Sequence, residues 1–394
     1  MWCREPYRVF FPLGLVLAWS GVLHWLLHGL GLLQSYRPVF HAIAQIQGFL
    51  TCFAVGFLFT AIPRRTGTAP PARWQVGFAL AAPVSCTAAA WFELWAWSQA
   101  IWILLVVLLV EFAVRRFLAA EARRRPPNSF VWVPISLAMG VGGSGLIAAF
   151  GILGPEYFKL HELGKLLLLQ GMFLGLVIGL GGMVLPLITR GIGPPDAATT
   201  AGDRLARAGH VIGALLLAGS FWLESQISLR AGLGARAVLL LVLLLASGQI
   251  VRLPRLPGWH RWLVWLAAWM IPAGYVLAAL FPAQKKAGLH VVFIGGFTLL
   301  ALSVGLHVTL ALGGHARLVR GRPWQVPVYG SLILSAMVLR LLVDFDPQRF
   351  FAWIAASAGL LLLATVFWAL LVLPRLAGWV LPSFPSPDKP PRQT

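Results

Sequence analysis

Nine histidines are spread along the 394 residues, and two of them recur in matching surroundings. His41 stands in Phe40-His41-Ala42, with Gly48-Phe49 seven residues on and Thr60 nineteen on. His290 follows Leu289, with Gly295-Gly296-Phe297 and then Thr309, again nineteen residues later. Each stretch is apolar and exceeds the roughly 20 residues that cross a bilayer at 1.5 Å of rise per residue. Two imidazoles at the same depth in two membrane helices allow two readings. They can be interfacial side chains bonded to loop carbonyls, or they can ligate a metal from opposite sides. Neutral imidazole is a common ligand of haem iron, and two helices starting on one face can bracket one porphyrin.

His24 and His28 are four apart and so share one helix face, a spacing that can chelate a metal. Trp25 beside them equally suits an interfacial belt. With His161, expected in or near the Tyr157–Gly164 loop, the imidazoles on one side number five: His24, His28, His41, His161 and His290. Such a crowd could hold copper beside haem. His307, seventeen residues beyond His290, falls near the other side, about 25 Å away along a helix. His315 reads as a solvated loop residue, and His210 and His260 receive no role. Gly171, Gly175 and Gly179 form a small-residue stripe, for helix packing or for a wall facing a cofactor. Met172 and Met183 are soft ligands or core filler. Glu93, Glu156, Glu162, Asp344 and Asp346 all map to the ends of helices, and acidic residues deep in the membrane are almost lacking.

The elements that must carry these residues are membrane helices. Hydrophobic residues are 59% of the chain and charged residues 11%, against about 25% charged in a soluble domain. Mean hydropathy is +0.82. The apolar runs are long rather than alternating, which selects helices over a barrel. Twelve spans are expected, near 8–33, 40–62, 74–94, 99–118, 130–154, 165–189, 206–224, 234–252, 261–281, 288–313, 325–343 and 349–373. The first is too long for a signal peptide and lacks a small-residue cleavage site. The net charge of +19 lies in loops, with 22 of the 31 lysines and arginines at the N-terminus, in the loops after even-numbered spans and in the tail. That bias places both termini in the cytoplasm and the five imidazoles on the outer side, and it encodes topology rather than nucleic-acid binding. Cys3, Cys52 and Cys86 make no disulfide framework, zinc site or haem-attachment motif.

Twelve helices divide into three groups of four, 1–125, 126–258 and 259–381, within one transmembrane domain. His41, His161 and His290 each precede or open the second helix of a group, although nineteen residues back from Thr189 stands Gln170. Residues 382–394 are Pro-rich and polar and read as a disordered cytoplasmic tail.

Phe40-His41-Ala42 to Gly48-Phe49, then Phe59-Thr60-Ala61-Ile62-Pro63, Thr66-Gly67 and Pro70-Pro71, resembles the second-helix signature of the NnrS family. That signature runs W-H-A-H-E-M-x-x-G-F and then L-L-T-A-x-P-x-x-T-G-x-P. Tyr7-Arg8-Val9-Phe10-Phe11 resembles the family's Y-R-P-F-F start, and Leu289-His290 through Leu312-Gly313-Gly314-His315-Ala316-Arg317 resembles its late A-L-H-A-L-x-x-G and S-L-G-H-T-G-R segments. The resemblance implies an all-α polytopic protein of the bacterial inner membrane, similar in outline to a haem–copper oxidase core. It also implies haem and copper, and a part in denitrification and relief of nitrosative stress, with nitric oxide or a related small molecule as partner. The chain departs from the signature at Ile43, Ala44 and Gln45, where the family has histidine, glutamate and methionine, so His41 is the one matching imidazole on that helix. It also lacks adjacent histidines and an intramembrane His-x-x-x-Tyr motif.

The favoured expectation is therefore a membrane haem protein of nitrogen-oxide metabolism, with His41 and His290 as axial ligands, His24, His28 and His161 available to copper, and an unidentified electron donor. The alternatives are a secondary transporter or small-molecule permease without haem, and a non-catalytic assembly factor. The residues by themselves leave enzyme, sensor and transporter open.

Overall fold

A computed structural model describes residues 2–34, 36–119, 124–196 and 200–376. The expected tail at 382–394 lies outside these residues. Each apolar run closes its own backbone hydrogen bonds as a helix, the one solution that leaves no polar backbone group facing lipid. In chain order the long helices are α1 (Tyr7–Gly29), α2 (Pro38–Thr66), α3 (Arg73–Trp91), α4 (Trp95–Phe117), α5 (Asn128–Leu153), α6 (Pro155–Arg190), α7 (Ala201–Gln226), α8 (Leu229–Gly248), α9 (Trp259–Leu280), α10 (Pro282–Leu312), α11 (Gln325–Phe345) and α12 (Pro347–Leu376). Eleven are long and apolar enough to cross a membrane. The exception, α3, has sufficient length, but Arg73, Gln75, Ser85 and Thr87 dilute its hydrophobicity. The chain is thus an all-α, multi-pass membrane protein. His161 lies within helix Phe158–Leu166 of α6 rather than in a loop, because that span begins ten residues earlier than its apolar run suggests.

Successive helices run antiparallel and define two rims. At the terminal rim the start of α1 meets the end of α12, where Arg8 Nη1 donates to the carbonyl of Leu376 at 2.7 Å. At the far rim Gly29 packs on Ala355, and His28 on Phe351.

The packing repeats every fourth helix. The outer helices form a closed ring in which α4 packs on α5, α8 on α9, and α12 on α1. Inside stand α2, α6 and α10, with 78%, 78% and 67% of their most apolar windows buried, against 56% or less for every other span. These three are long, at 29, 36 and 31 residues, and apolar nearly all round, as enclosure demands. Each has a stretch of wide π-helical turns in its first half: Ala44–Leu50, Leu167–Gly171 and Val291–Thr298. A further π stretch, Leu244–Gly248, ends α8. Such turns displace a helix face by an extra residue and are frequent at functional sites.

The first and second helices of each foursome cross where side chains vanish. A Cβ on Gly21 would lie 2.8 Å from Ala44, one on Gly143 2.6 Å from the Gly164 carbonyl, and one on Gly274 2.6 Å from the Gly288 carbonyl. Backbones can approach this closely only over glycine or alanine. The Gly171, Gly175 and Gly179 stripe likewise seats α6 on its neighbours, against Phe221, Ser136 and Trp132 respectively.

Candidate functional site

The α1–α2 crossing determines where His41 points. With the backbones this close, its Nδ1 reaches the Gly21 carbonyl at 2.7 Å. A carbonyl only accepts, so Nδ1 carries the proton and Nε2 is left with a free lone pair. His290 does the same within its own helix, Nδ1 donating to the Lys286 carbonyl at 2.7 Å. Fixing one ring nitrogen so that the other faces a ligand is how metal-binding imidazoles are oriented. Both rings are half-buried. They are in electrostatic range of one another, and Arg340 of α11 is in range of both. Arg340 is held by Asp344 at 3.1 Å. Tyr36, in the α1–α2 loop, closes the same corner. Burial pushes its phenol above the usual range, with Arg340 opposing the shift.

His24 lies beside His41, with ring centroids 6.2 Å apart, and Trp25 presents its edge to His41 at 5.6 Å. His24 is 4% exposed, and neither of its ring nitrogens has a hydrogen-bond partner. The carbonyls of Ser20, Gly21 and Arg37 are nearby, but none is in hydrogen-bond geometry. A buried polar group without a partner is costly, so this is an uncommon arrangement. His28 instead turns its Nδ1 to the Leu33 carbonyl at 2.8 Å and its ring to Phe351. His161 lies tilted against Phe150 with ring centroids 4.5 Å apart, its charged neighbours being Glu162 and Lys165. Among the described residues no three His, Cys, Asp or Glu side chains gather as metal ligands. The structure thus brings His24 and His41 together with His290 in electrostatic range, His28 borders the same corner through Tyr36 at 5.7 Å, and His161 lies apart against Phe150 and Phe158.

Gly48, expected to clear space beside His41, is a packing position. A Cβ there would meet Thr87 and Leu17 at 3.1 and 3.2 Å. Met172 packs under Gly140, and Met183 Sδ accepts from Arg65 at 3.4 Å, so both are occupied within the fold. Of the acidic residues at helix ends, Glu93 pairs with Arg37, Glu162 with Lys165 and Asp344 with Arg340.

Two polar clusters escape sequence reasoning. His260 Nε2 and His307 Nδ1 share a hydrogen bond of 3.1 Å near the terminal rim. The signal was present, since α9 and α10 are consecutive antiparallel helices and both residues map to the same rim. The second cluster is a buried ion pair in the middle foursome. Arg236, fully buried, donates to Glu224 at 2.7 Å and to Gln170 at 3.3 Å through Nη1, and to Ser220 at 3.1 Å through Nε. Tyr275 donates to the same Gln170 oxygen at 2.7 Å, and the guanidinium lies 3.8 Å over Phe221. The Arg236 network therefore meets α6 at Gln170, inside its π stretch and nineteen residues before Thr189.

A family model described as "NnrS protein" matches residues 1–378. No curated protein matches the chain.

Proposed function

The chain belongs to the NnrS family, which ties it to nitric-oxide-related processes in general terms, and from that premise we propose that it is a haem protein handling nitrogen oxides. The haem would be held between His41 and His290. One observation carries this reading: both imidazoles have Nδ1–H anchored to a backbone carbonyl and Nε2 left unclaimed, on the two inner helices α2 and α10. The donor set fits haem iron, which when bound supplies electron transfer or a site for nitric oxide. The protein's own groups do the rest. The Gly21 and Lys286 carbonyls fix the tautomer and aim of the two rings, and Arg340 provides a buried cation suited to the charge of a porphyrin's carboxylates. Trp25, Phe40 and Tyr36 pack around the His24–His41 corner and exclude water from it.

The residues do not assemble a copper site of the expected kind. His24 offers two free nitrogens and His28, with Nδ1 on the Leu33 carbonyl, keeps its Nε2, but among the described residues no third ligand joins them, and His161 lies against Phe150 and Phe158. The reading is therefore haem without copper at His24, His28 and His161. The proposal retains three four-helix units, 1–125, 126–258 and 259–381, an inner-membrane location with cytoplasmic termini, and haem toward the outer face. The permease alternative loses ground because the space enclosed by the inner helices has an apolar lining, whereas transporters gather polar groups near the midplane.

The test is a reduced-minus-oxidised spectrum of purified protein. Haem absorbance per mole should fall to near zero in His41→Ala and His290→Ala, with elution and thermal unfolding retained. Colourless wild-type protein from haem-replete cells, or full haem in either variant, refutes the assignment.

A further inference from the structure

The three inner helices enclose more than they fill. Midway along them lies a cavity of about 130 Å³, bounded by Phe53 and Ala54 of α2, Phe173 and Leu180 of α6, and Phe297 and Ala301 of α10. Every residue around it is apolar. An apolar cavity of about 150 Å³ stays dry and takes up xenon or benzene, and at roughly 30 Å³ per water-sized molecule this one holds about four. It lies between the three most buried helices of the fold. Ions and polar solutes are excluded by the cost of desolvation without partners.

The cavity has two ends. Toward the terminal rim it adjoins a wider space of about 510 Å³, which shares the lining residues Phe57, Leu180, Val184 and Val304 and opens beside Arg64, Arg65 and Arg124. Toward the far rim it stops at Leu50 and Phe297, nine and seven residues from His41 and His290. A file of rings closes that gap: Phe173 to Phe297 at 5.9 Å, Phe297 to Phe293 at 5.9 Å, and Phe293 edge-on to His290 at 6.0 Å.

We propose that this central space is a transit site through which a small neutral gas of the diatomic class passes between the terminal rim and the histidine pair, with Phe297 and Phe293 as its gate. The basic mouth draws in no ion beyond itself, because the lining past Phe57 carries no polar side chain. Selection is then by size and neutrality, which suits nitric oxide. The destination rests on the haem reading; the occupancy of the cavity does not.

Two measurements on the full-length protein in nanodiscs separate these. Xenon NMR should give a bound-xenon signal that disappears in Ala301→Phe, which fills the space from α10, and in Ala54→Leu, which fills it from α2. Flash photolysis of the nitric oxide adduct should give rebinding from solution on the order of tenfold slower in the same variants, a factor equivalent to about 1.4 kcal/mol of added barrier. It should be faster in Phe297→Ala, and the haem spectrum should be unchanged throughout. The two filling variants come from opposite walls, so a folding failure in one leaves the other to decide. Wild-type protein that binds no xenon, or binds a lipid tail or detergent in its place, overturns the proposal. So does xenon binding with unchanged rebinding rates. A colourless protein that still binds xenon in this cavity refutes the haem reading alone.

Discussion

If the glycine crossings aim the histidines, then filling a crossing should disturb cofactor binding only where a histidine depends on it. Gly21→Ala, Gly143→Ala and Gly274→Ala form a matched set. The added Cβ would run into Gln45 Nε2 and lie 2.8 Å from Ala44 in the first, and 2.6 Å from a facing carbonyl oxygen in the other two. Bringing 2.6 Å up to the ordinary contact of 3.4 Å requires each helix pair to part by about 0.8 Å, and overpacking of this order costs about 1–3 kcal/mol. The stability loss should be similar at all three sites. The consequences for haem should differ. Parting α1 from α2 stretches the 2.7 Å bond from His41 to Gly21, and parting α9 from α10 displaces the turn that ends at His290. Gly143 faces Gly164 near His161, outside the histidine pair. The assay is thermal unfolding alongside haem stoichiometry and midpoint potential. Expected are lowered unfolding temperatures in all three, with haem content or potential altered in Gly21→Ala and Gly274→Ala only. If Gly143→Ala perturbs haem as strongly as the others, or if the other two lose stability without any change at haem, the link from crossing to ligand is wrong.

The buried pair in the middle foursome predicts an asymmetry. Glu224→Gln strands the fully buried Arg236, for about 3–5 kcal/mol, whereas Arg236→Gln leaves Glu224 with Lys285 at 3.7 Å and costs less. Equal losses of unfolding temperature in the two variants would contradict this, and the joint change to Glu224→Leu with Arg236→Met should recover most of the loss. His24→Leu tests whether anything claims the orphaned imidazole. With no ligand, removing two unpartnered buried nitrogens should leave stability equal or raise it by about 1–2 kcal/mol. A fall in stability accompanied by loss of bound metal would show that His24 serves a ligand.

Helix content was readable from hydropathy, because a bilayer leaves the chain few alternatives. Which helices stand inside was not readable from charge or glycine content, since α5 carries no charge and five glycines whereas the inner α6 carries five charges. Nor were the partners of His41. Its hydrogen bond to Gly21 depends on a crossing between two helices, and nothing in either run announces the other. The same holds for His24, whose pairing with His28 by four-residue spacing looked like a chelate until the end of α1 turned His28 onto Leu33. The π stretches were also hidden. A run such as Val291–Thr298 is apolar in every register, so the extra residue in its turns leaves no trace in periodicity.

Those wide turns explain why the repeat was legible in its ends and blurred in its middle. The three inner helices finish alike: Thr60, Thr189 and Thr309 each donate to the carbonyl four residues back. Counting back nineteen residues from these threonines passes through all seven and all eight residues of the first and third π stretches but only two of the five in the middle one, so equal spacing in sequence is not equal height. In the middle helix the count reaches Gln170, which the Arg236 network occupies, while His161 lies nine residues earlier, against Phe150. In the first helix Gln47, also within its π stretch, exchanges two hydrogen bonds with Gln99 at 2.9 and 3.1 Å, and Ser144 joins at 2.6 Å. Two of the three π stretches thus meet a buried polar network, and the third, Val291–Thr298, follows directly on His290. In the proposed arrangement one scaffold has specialised by filling the same displaced turn differently: amides in the first unit, an ion pair in the second, apolar packing in the third. The proposed histidine pair joins the first and third units, while His161 of the second lies against Phe150 and Phe158.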